Sequence, residues 1–319
     1  MLLARLAPSV GLMAVPGEHR KHQQATPVVG GIAIFLGLVL GLVWLTPEHL
    51  GLLPAMSVLV AVGVLDDRFT LNSVVRLAAQ AVAAWLMIHF TGAELLNLGA
   101  IFSNTDLWLG GWSMALTIFA SIGVINAVNM SDGLDGLAGS LVLIVLLSML
   151  AIGSTETELV LVVVAAVSGF LVWNLRILRP RARMFMGDAG STLLGLILVY
   201  LLIRGSQQPV NDFSPVTALW LLALPLIDTV AVLLVRPIRG QSPFSADRFH
   251  YHHLLQARGL EVNQTLCLVL ALQVVLIVVA LAMSNAGVAQ RYQMMLFLAC
   301  FVAYALYLWR VSGDQAEQS

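Results

Sequence analysis

Charge is scarce in this chain. Of 319 residues only 10% are Asp, Glu, Lys or Arg, and 59% are hydrophobic; soluble domains run at about 25% charged. Together with a mean hydropathy of +0.92, this excludes a water-soluble globular domain and requires an integral membrane protein. The charges nearly cancel, giving a net −1, so the basic surface that a nucleic acid partner needs is missing. Cysteine is almost absent. Cys267 and Cys300 sit inside apolar runs, too few and too poorly placed for a disulfide framework or a zinc site. They read as small apolar packing groups. Linkers, low-complexity tracts and internal repeats are also lacking, so the chain reads as a single domain over residues 1–319.

What the chain has in abundance is apolar runs. A helix needs about 20 mostly apolar residues to cross the hydrocarbon core. Ten windows come near that length, around 28–45, 50–65, 74–90, 109–128, 137–153, 158–175, 190–204, 215–235, 264–284 and 291–309. The expected fold class is an all-α polytopic membrane protein with about 10 transmembrane helices. The windows at 50–65 and 190–204 are short, which predicts helices that run on into the polar motifs beside them.

Alternating the spans sorts the connections into two sets. Residues 1–27, 66–76, 129–136, 176–189, 236–263 and the C-terminal tail carry 14 of the 16 Lys and Arg, and the opposite set carries only Arg204 and Arg291. The excess of positive charge places the first set in the cytoplasm. It includes a cytoplasmic N-terminal segment, 1–27, and a cytoplasmic histidine-rich loop, 236–263. Met1 to Val15 is apolar but too short to span, and Arg5 interrupts it; a signal peptide would need a longer apolar core and a small-residue cleavage site.

Five polar clusters interrupt the apolar runs, and all fall in the cytoplasmic set. Asp66-Asp67-Arg68 follows an apolar run. Adjacent carboxylates at a helix end are costly unless water, metal or a cation compensates; the pair is either a proton acceptor with a cation-holding neighbour or a solvated cap. In Asn126-Ala-Val-Asn129-Met-Ser-Asp132-Gly-Leu-Asp135-Gly, the two Asn are three apart and share a helix face. Asp132 and Asp135 repeat the spacing. Side-chain oxygens of this kind suit Mg²⁺ and also suit a base or ribose. An EF-hand would need alternate ligands and a glutamate at position 12, and that pattern is absent.

Phe185-Met-Gly187-Asp188-Ala-Gly190-Ser191 opens another span, where a helix N-terminus offers free N–H groups to an anion. Asp188 there is placed for Mg²⁺ bridging to a diphosphate, or simply caps the helix, and Phe185 suits stacking on a base. Asp247-Arg248-Phe-His250-Tyr-His252-His253 holds three of the seven histidines. It is a zinc site, a sugar-phosphate site or a surface patch, and zinc would want a tetrahedral ligand spacing, usually with Cys or a further His. Lys21 stands in a basic stretch before Thr26-Pro27-Val-Val-Gly30-Gly31. Asp228 lies inside the 215–235 window and is either functional or a partner for a neighbouring helix. Joined on one face, the clusters describe a Mg²⁺-dependent site for a diphosphate beside a bilayer. A transporter, the rival from another class, would place its polar groups near the midplane and often carries inverted repeats.

The motifs TPVVGG, VLDDR, NAVNMSDGLDGLAG, FMGDAGS and PFSADRFHYHH resemble, in order, those of the polyprenyl-phosphate N-acetylhexosamine-1-phosphate transferase family, glycosyltransferase family 4. The resemblance runs from about residue 16 to the end. His250-Tyr251-His252-His253 after Asp247-Arg248, and Val29 before Gly30-Gly31, set it apart from the cell-wall branch, which typically has three successive histidines and a Met before the paired glycines. The resemblance implies an enzyme of the bacterial inner (cytoplasmic) membrane. It would pass GlcNAc-1-phosphate from UDP-GlcNAc to undecaprenyl phosphate, giving undecaprenyl-diphospho-GlcNAc and UMP, at the start of O-antigen or enterobacterial common antigen synthesis. Siblings use UDP-GalNAc, UDP-FucNAc or UDP-MurNAc-pentapeptide. It implies Mg²⁺ or Mn²⁺ as cofactor, undecaprenyl phosphate and a UDP-N-acetylhexosamine as partners, and is compatible with a homodimer.

By the same resemblance Asp66 and Asp67 are the catalytic pair, with Asp66 the base. Asp188 and Asn129 hold the metal. Asn126, Asp132, Asp135 and Phe185 line the uridine and diphosphate site. Asp247, His250, His252 and His253 meet the sugar phosphate, and Lys21 neutralises phosphate. Family members usually have one more helix before the Lys21 segment. The intact motifs predict that the fold survives without it.

Overall fold

The computed structural model describes residues 2–14, 25–176, 181–207, 209–238, 240 and 249–316. The described residues form α1 (Leu2–Leu6), α2 (Gly30–Trp44), α3 (Leu53–Phe69), α4 (Ser73–Thr91), α5 (Ser113–Met130), α6 (Leu137–Ile152), α7 (Thr157–Asn174), α8 (Gly187–Ser206), α9 (Pro215–Leu221), α10 (Ala223–Ile238), α11 (Tyr251–Ala257), α12 (Val262–Asn285) and α13 (Gln290–Ala316). Among them the only paired strands are the two-residue segments Met13–Ala14 and Thr26–Pro27, antiparallel to each other. The protein is an all-α polytopic membrane protein.

The expected count of about ten spans is not confirmed. Among the described residues, seven helices are long and apolar enough to cross a membrane, or eight if a bent pair is taken as one span. Each of the ten windows is helical, but α2 and α6 have only 15 and 16 residues. At about 1.5 Å per residue they fall short of the roughly 30 Å of hydrocarbon. The short windows at 50–65 and 190–204 do run on into their motifs: α3 ends at Phe69, beyond Asp66-Asp67-Arg68, and α8 begins at Gly187 with Asp188 in its first turn.

The window 215–235 is not one helix. α9 and α10 meet at 83° around Leu222. Pro225 supplies the reason, since a proline inside a helix removes one N–H and clashes with the carbonyl four residues back, here Leu221. Gln273, fully buried on α12, repairs the break. Its Nε2 donates to Leu221 O at 3.0 Å and Trp220 O at 3.4 Å, and its Oε1 accepts from Leu224 N at 3.0 Å. Freed backbone groups at membrane depth demand such partners, because no water is available there.

α8 is the central element, with 94% of its apolar window buried, whereas α13 has 11%. α8 packs against α3, α5 and α2. The outward faces of α12 and α13 expose Leu272, Val275, Val278, Met295 and Val302, as lipid-facing helices do. Polar side chains gather at the two ends of α8. At its C-terminal end His49 Nδ1 lies 2.8 Å from Tyr200 Oη, and Glu156 bridges His49 at 3.2 Å and Arg204 at 2.8 Å. The sequence clusters gather at its N-terminal end.

Candidate active site

The N-terminus of α8 is the hub. Gly187 has φ +71, a conformation L side chains rarely adopt, and a Cβ there would collide with the Asp67 carboxylate. That close approach lets Asp67 Oδ1 accept the Asp188 N–H at 2.9 Å and Oδ2 the Ala189 N–H at 3.3 Å. A carboxylate at a helix N-terminus is favoured both by the unpaired N–H groups and by the helix dipole. Asp188 is not itself the cap. Its Oδ1 accepts Asn129 Nδ2 at 2.6 Å, and Asn129 also donates to Ser191 Oγ at 2.8 Å.

Asp66 is only 6% exposed, and its side chain lies against that of Asp188. Its Oδ1 accepts the Leu71 N–H at 2.5 Å and its Oδ2 pairs with Arg76 at 3.3 Å. Asn126 sits three residues before Asn129 on α5, as the spacing predicts, and donates to Gln80 Oε1 at 2.7 Å. A cleft opens between α3, α4, α5 and α8. Its lining is mixed, with Asp66, Arg76, Gln80, Asn126, Asn129 and Asp188 polar and Leu59 and Val62 apolar.

Asp132 and Asp135 lie beyond the end of α5, in the turn that leads to α6. Burial pushes the Asp132 carboxyl well up, and the nearby charges of Asp188, Asp67 and Asp135 push in the same direction. Asp135 is compensated by Arg176 Nε at 2.5 Å. Asn174, at the end of α7, clamps two motifs together. Its Oδ1 accepts the Gly136 N–H at 2.6 Å and its Nδ2 donates to Met184 O at 2.8 Å. Phe185 is half-buried, and its backbone joins the Thr26-Pro27 strand to α2 through Phe185 N to Pro27 O and Gly30 N to Phe185 O, each 2.9 Å.

The histidine loop docks on this turn. His252 is 1% exposed and lies directly over Gly133, where a Cβ would collide with its Nε2. Tyr251 Oη donates to Ser131 Oγ at 3.4 Å. The His252 ring stacks on His250 at 5.9 Å and tilts against His253 at 4.2 Å. Burial first, then the neighbouring His253 and His250, hold its pKa well below the usual histidine range. Among the described residues no group of three or more His, Cys, Asp or Glu is placed to hold a metal ion. Lys21 and Asp247 lie outside the described residues.

Thus Asp66, Asp67, Asn126, Asn129, Asp132, Asp135, Phe185, Asp188, His250, His252 and His253, scattered over 188 positions of sequence, stand at one end of one bundle. Four participants were not singled out by motif. Arg76 had a signal, being a cation in the first turn of α4, against the helix dipole. Asn174 and Arg176 had none beyond polarity next to a span, and Gln80 reads as an ordinary helix residue.

A polytopic helical bundle with an acidic, amide-lined cleft at one end and a docked histidine loop beside it has the frame of a membrane-embedded enzyme. The family model described as glycosyl transferase family 4 matches residues 49–206. The chain is 37% identical over 320 residues to undecaprenyl-phosphate alpha-N-acetylglucosaminyl 1-phosphate transferase of Escherichia coli O157:H7, covering 97% of this chain and 87% of that one. It is 34% identical to the transferase of the same name from Yersinia pestis, over 97% and 88%, and to that from Haemophilus influenzae, over 98% and 90%. The chain belongs to glycosyl transferase family 4, as its motifs led one to expect, and is a membrane phosphoglycosyltransferase.

Proposed function

We propose that the protein transfers GlcNAc-1-phosphate from UDP-GlcNAc to undecaprenyl phosphate on the cytoplasmic face of the bacterial inner membrane. The near full-length similarity to transferases named for this acceptor and sugar carries the reading. The cleft supports it, because a lining of charged, amide and apolar groups suits a phosphate carried on a lipid chain.

A phosphate oxygen of the acceptor attacks the β-phosphorus of the donor. A new P–O–P linkage forms, the bond from that phosphorus to the bridging oxygen breaks, and UMP leaves with the electron pair. Such a reaction needs alignment and charge neutralisation more than covalent chemistry. A phosphate monoester has its second pKa near about 6, so the nucleophile is mostly ionised at neutral pH and needs no strong base. Asp66 therefore serves best by holding Arg76 toward the acceptor phosphate, and Asp67 by fixing the start of α8. Asn126 and Gln80 brace one another on the cleft wall, and the histidine loop closes the sugar-phosphate side.

Mg²⁺ or Mn²⁺ fits the residues present. The donors are carboxylate and amide oxygens, and Mg²⁺ is commonly bound through one or two carboxylates plus substrate phosphates, keeping water for the rest. Burial first, and then the charges of Asp188, Asp67 and Asp135, raise Asp132, and the second part is what a divalent cation would relieve. Asp188 and Asn129 would hold it, and when bound it shields the donor diphosphate and the charge on departing UMP.

The test is lipid-linked label from each radiolabelled UDP-sugar with undecaprenyl phosphate in detergent, with Mg²⁺ or EDTA, for wild type and Asp188→Ala. Label from UDP-GlcNAc, lost with EDTA and in the variant, is the expected result. Label from UDP-GalNAc, UDP-FucNAc or UDP-MurNAc-pentapeptide instead overturns the donor. No label from any donor overturns the function.

A further inference from the structure

A buried carboxylate holds the histidine loop from behind. Asp228, on α10 and only 3% exposed, accepts three hydrogen bonds: from His250 Nδ1 at 2.6 Å, from the Tyr251 backbone N–H at 3.1 Å and from Tyr304 Oη at 2.5 Å. A charge removed from water is costly unless its oxygens are satisfied. Here Oδ2 takes the imidazole, and Oδ1 takes the amide and the phenol. The three donors come from the histidine loop, the start of α11 and α13. α10 takes its direction from the Pro225 break, so the bend in the span and the seating of His250 belong to one construction. The histidine ring is fixed a second way by stacking on His252, with the ring planes 8° apart.

With Nδ1 committed to a carboxylate, the tautomer is set and Nε2 is the nitrogen left for a ligand. We propose that Asp228, braced by Tyr304, is the positioning residue for His250. It fixes the ring so that Nε2 meets the phosphate of the sugar nucleotide, and does not itself touch substrate. This rests on the transferase reading above. It gives α13, the least buried of the long helices, a part in donor binding through one hydroxyl.

The experiment is steady-state transfer by the full chain in detergent for wild type, Asp228→Ala, Tyr304→Phe, His250→Ala and the Asp228→Ala/His250→Ala pair, varying each substrate. Partners of this kind typically cost about 10- to 100-fold when removed. Asp228→Ala is expected to raise KM for UDP-GlcNAc by about 10-fold or more while KM for undecaprenyl phosphate stays put. Tyr304→Phe should do the same more weakly. The double variant should fall no lower than His250→Ala, because Asp228 acts only through that ring. Losses that multiply, or a fall in kcat alone with both KM values unchanged, would overturn the assignment in favour of a purely structural role. If Asp228→Ala does not fold, the same cycle is run with Tyr304→Phe. A folded but inactive wild type would sink the transferase reading instead. UDP-induced thermal stabilisation then decides the inference: loss of the shift in the variant supports it, and an unchanged shift overturns it.

Discussion

Asp67 on α3 caps the first turn of α8, its two carboxylate oxygens accepting the backbone N–H groups of Asp188 and Ala189 at 2.9 and 3.3 Å. The member of the acidic pair farther along the chain therefore sets where Asp188 stands. Asp66, its neighbour, pairs with Arg76 at 3.3 Å and meets the Asp188 side chain, not the α8 backbone N–H groups that Asp67 caps. The two adjacent carboxylates do different work.

Asp67→Ala should lose both the cap and the charge. Capping losses run at about 0.5–2 kcal/mol, so the melting temperature falls, and transfer activity falls by about 100-fold or more as Asp188 loses its position. Asp67→Asn keeps one acceptor oxygen and should keep most of the melting temperature while still losing activity. Thermal unfolding and transfer rates on the two variants check this. Equal activity in Asn variant and wild type would remove charge from the account of this residue.

Asp132 carries a stability cost. Its carboxyl is raised, so the folded chain disfavours the ionised form relative to the unfolded chain, whose carboxyl titrates near about 3.9. The sign follows by linkage: the folded state binds more protons, and stability is lost as pH rises from the unfolded value through the folded one. Asp132→Asn removes the penalty. The metal-free variant should melt higher than wild type at neutral pH yet transfer less. Unfolding measured in EDTA, paired with the transfer assay, tests it.

His252 carries the opposite dependence. Its pKa is depressed by burial and by two neighbouring histidines, so the unfolded chain binds the proton more readily. Its contribution is present above the unfolded value of about 6.5 and is lost as pH falls below it. The melting temperature should drop between roughly pH 7 and pH 5.5, and His252→Gln should flatten that drop. An unchanged slope in the variant would assign the acid sensitivity elsewhere.

Gly133→Ala tests the docking of the loop. A methyl group at that position meets the His252 ring, which has little room to move at 1% exposure. The loop should lift from the Asp132-Gly133 turn, raising KM for the sugar nucleotide with little effect on KM for the lipid. Overpacking of this kind typically costs about 1–3 kcal/mol. A wild-type KM for UDP-GlcNAc would show that the loop does not need the turn.

Gln273→Leu tests the broken span. It strips partners from Leu221 O, Trp220 O and the Leu224 N–H, and an unsatisfied buried group costs about 1–3 kcal/mol. Both the melting temperature and transfer should fall, since α10 carries Asp228. A Gln273→Leu protein with wild-type stability would mean that water or a rearranged backbone satisfies the break.

Much of this was legible in the sequence, for identifiable reasons. Long apolar runs declare helices because lipid permits little else, and Asp66, Asn129, Asp188 and His252 stood out as polar groups where polarity is expensive. Their pairing was not legible. Which carboxylate of Asp66 and Asp67 caps the α8 backbone depends on the way α3 packs against Gly187, about 120 residues away in the chain. The α9–α10 break was marked by Pro225, but Pro is tolerated in transmembrane helices, so the residue alone does not decide between a kink and 83°. Asp228 was visible as a membrane carboxylate. Its partners, His250 and Tyr304, lie 22 and 76 residues off, and only the packing of α10 against α13 joins them.

The most direct measurement follows the β-phosphate of the donor. With UDP-GlcNAc labelled at that phosphorus and undecaprenyl phosphate as acceptor, the account predicts label in the lipid product in step with the GlcNAc, and one UMP released per product. Label remaining in a released nucleoside diphosphate, with sugar alone on the lipid, would contradict transfer of the sugar phosphate.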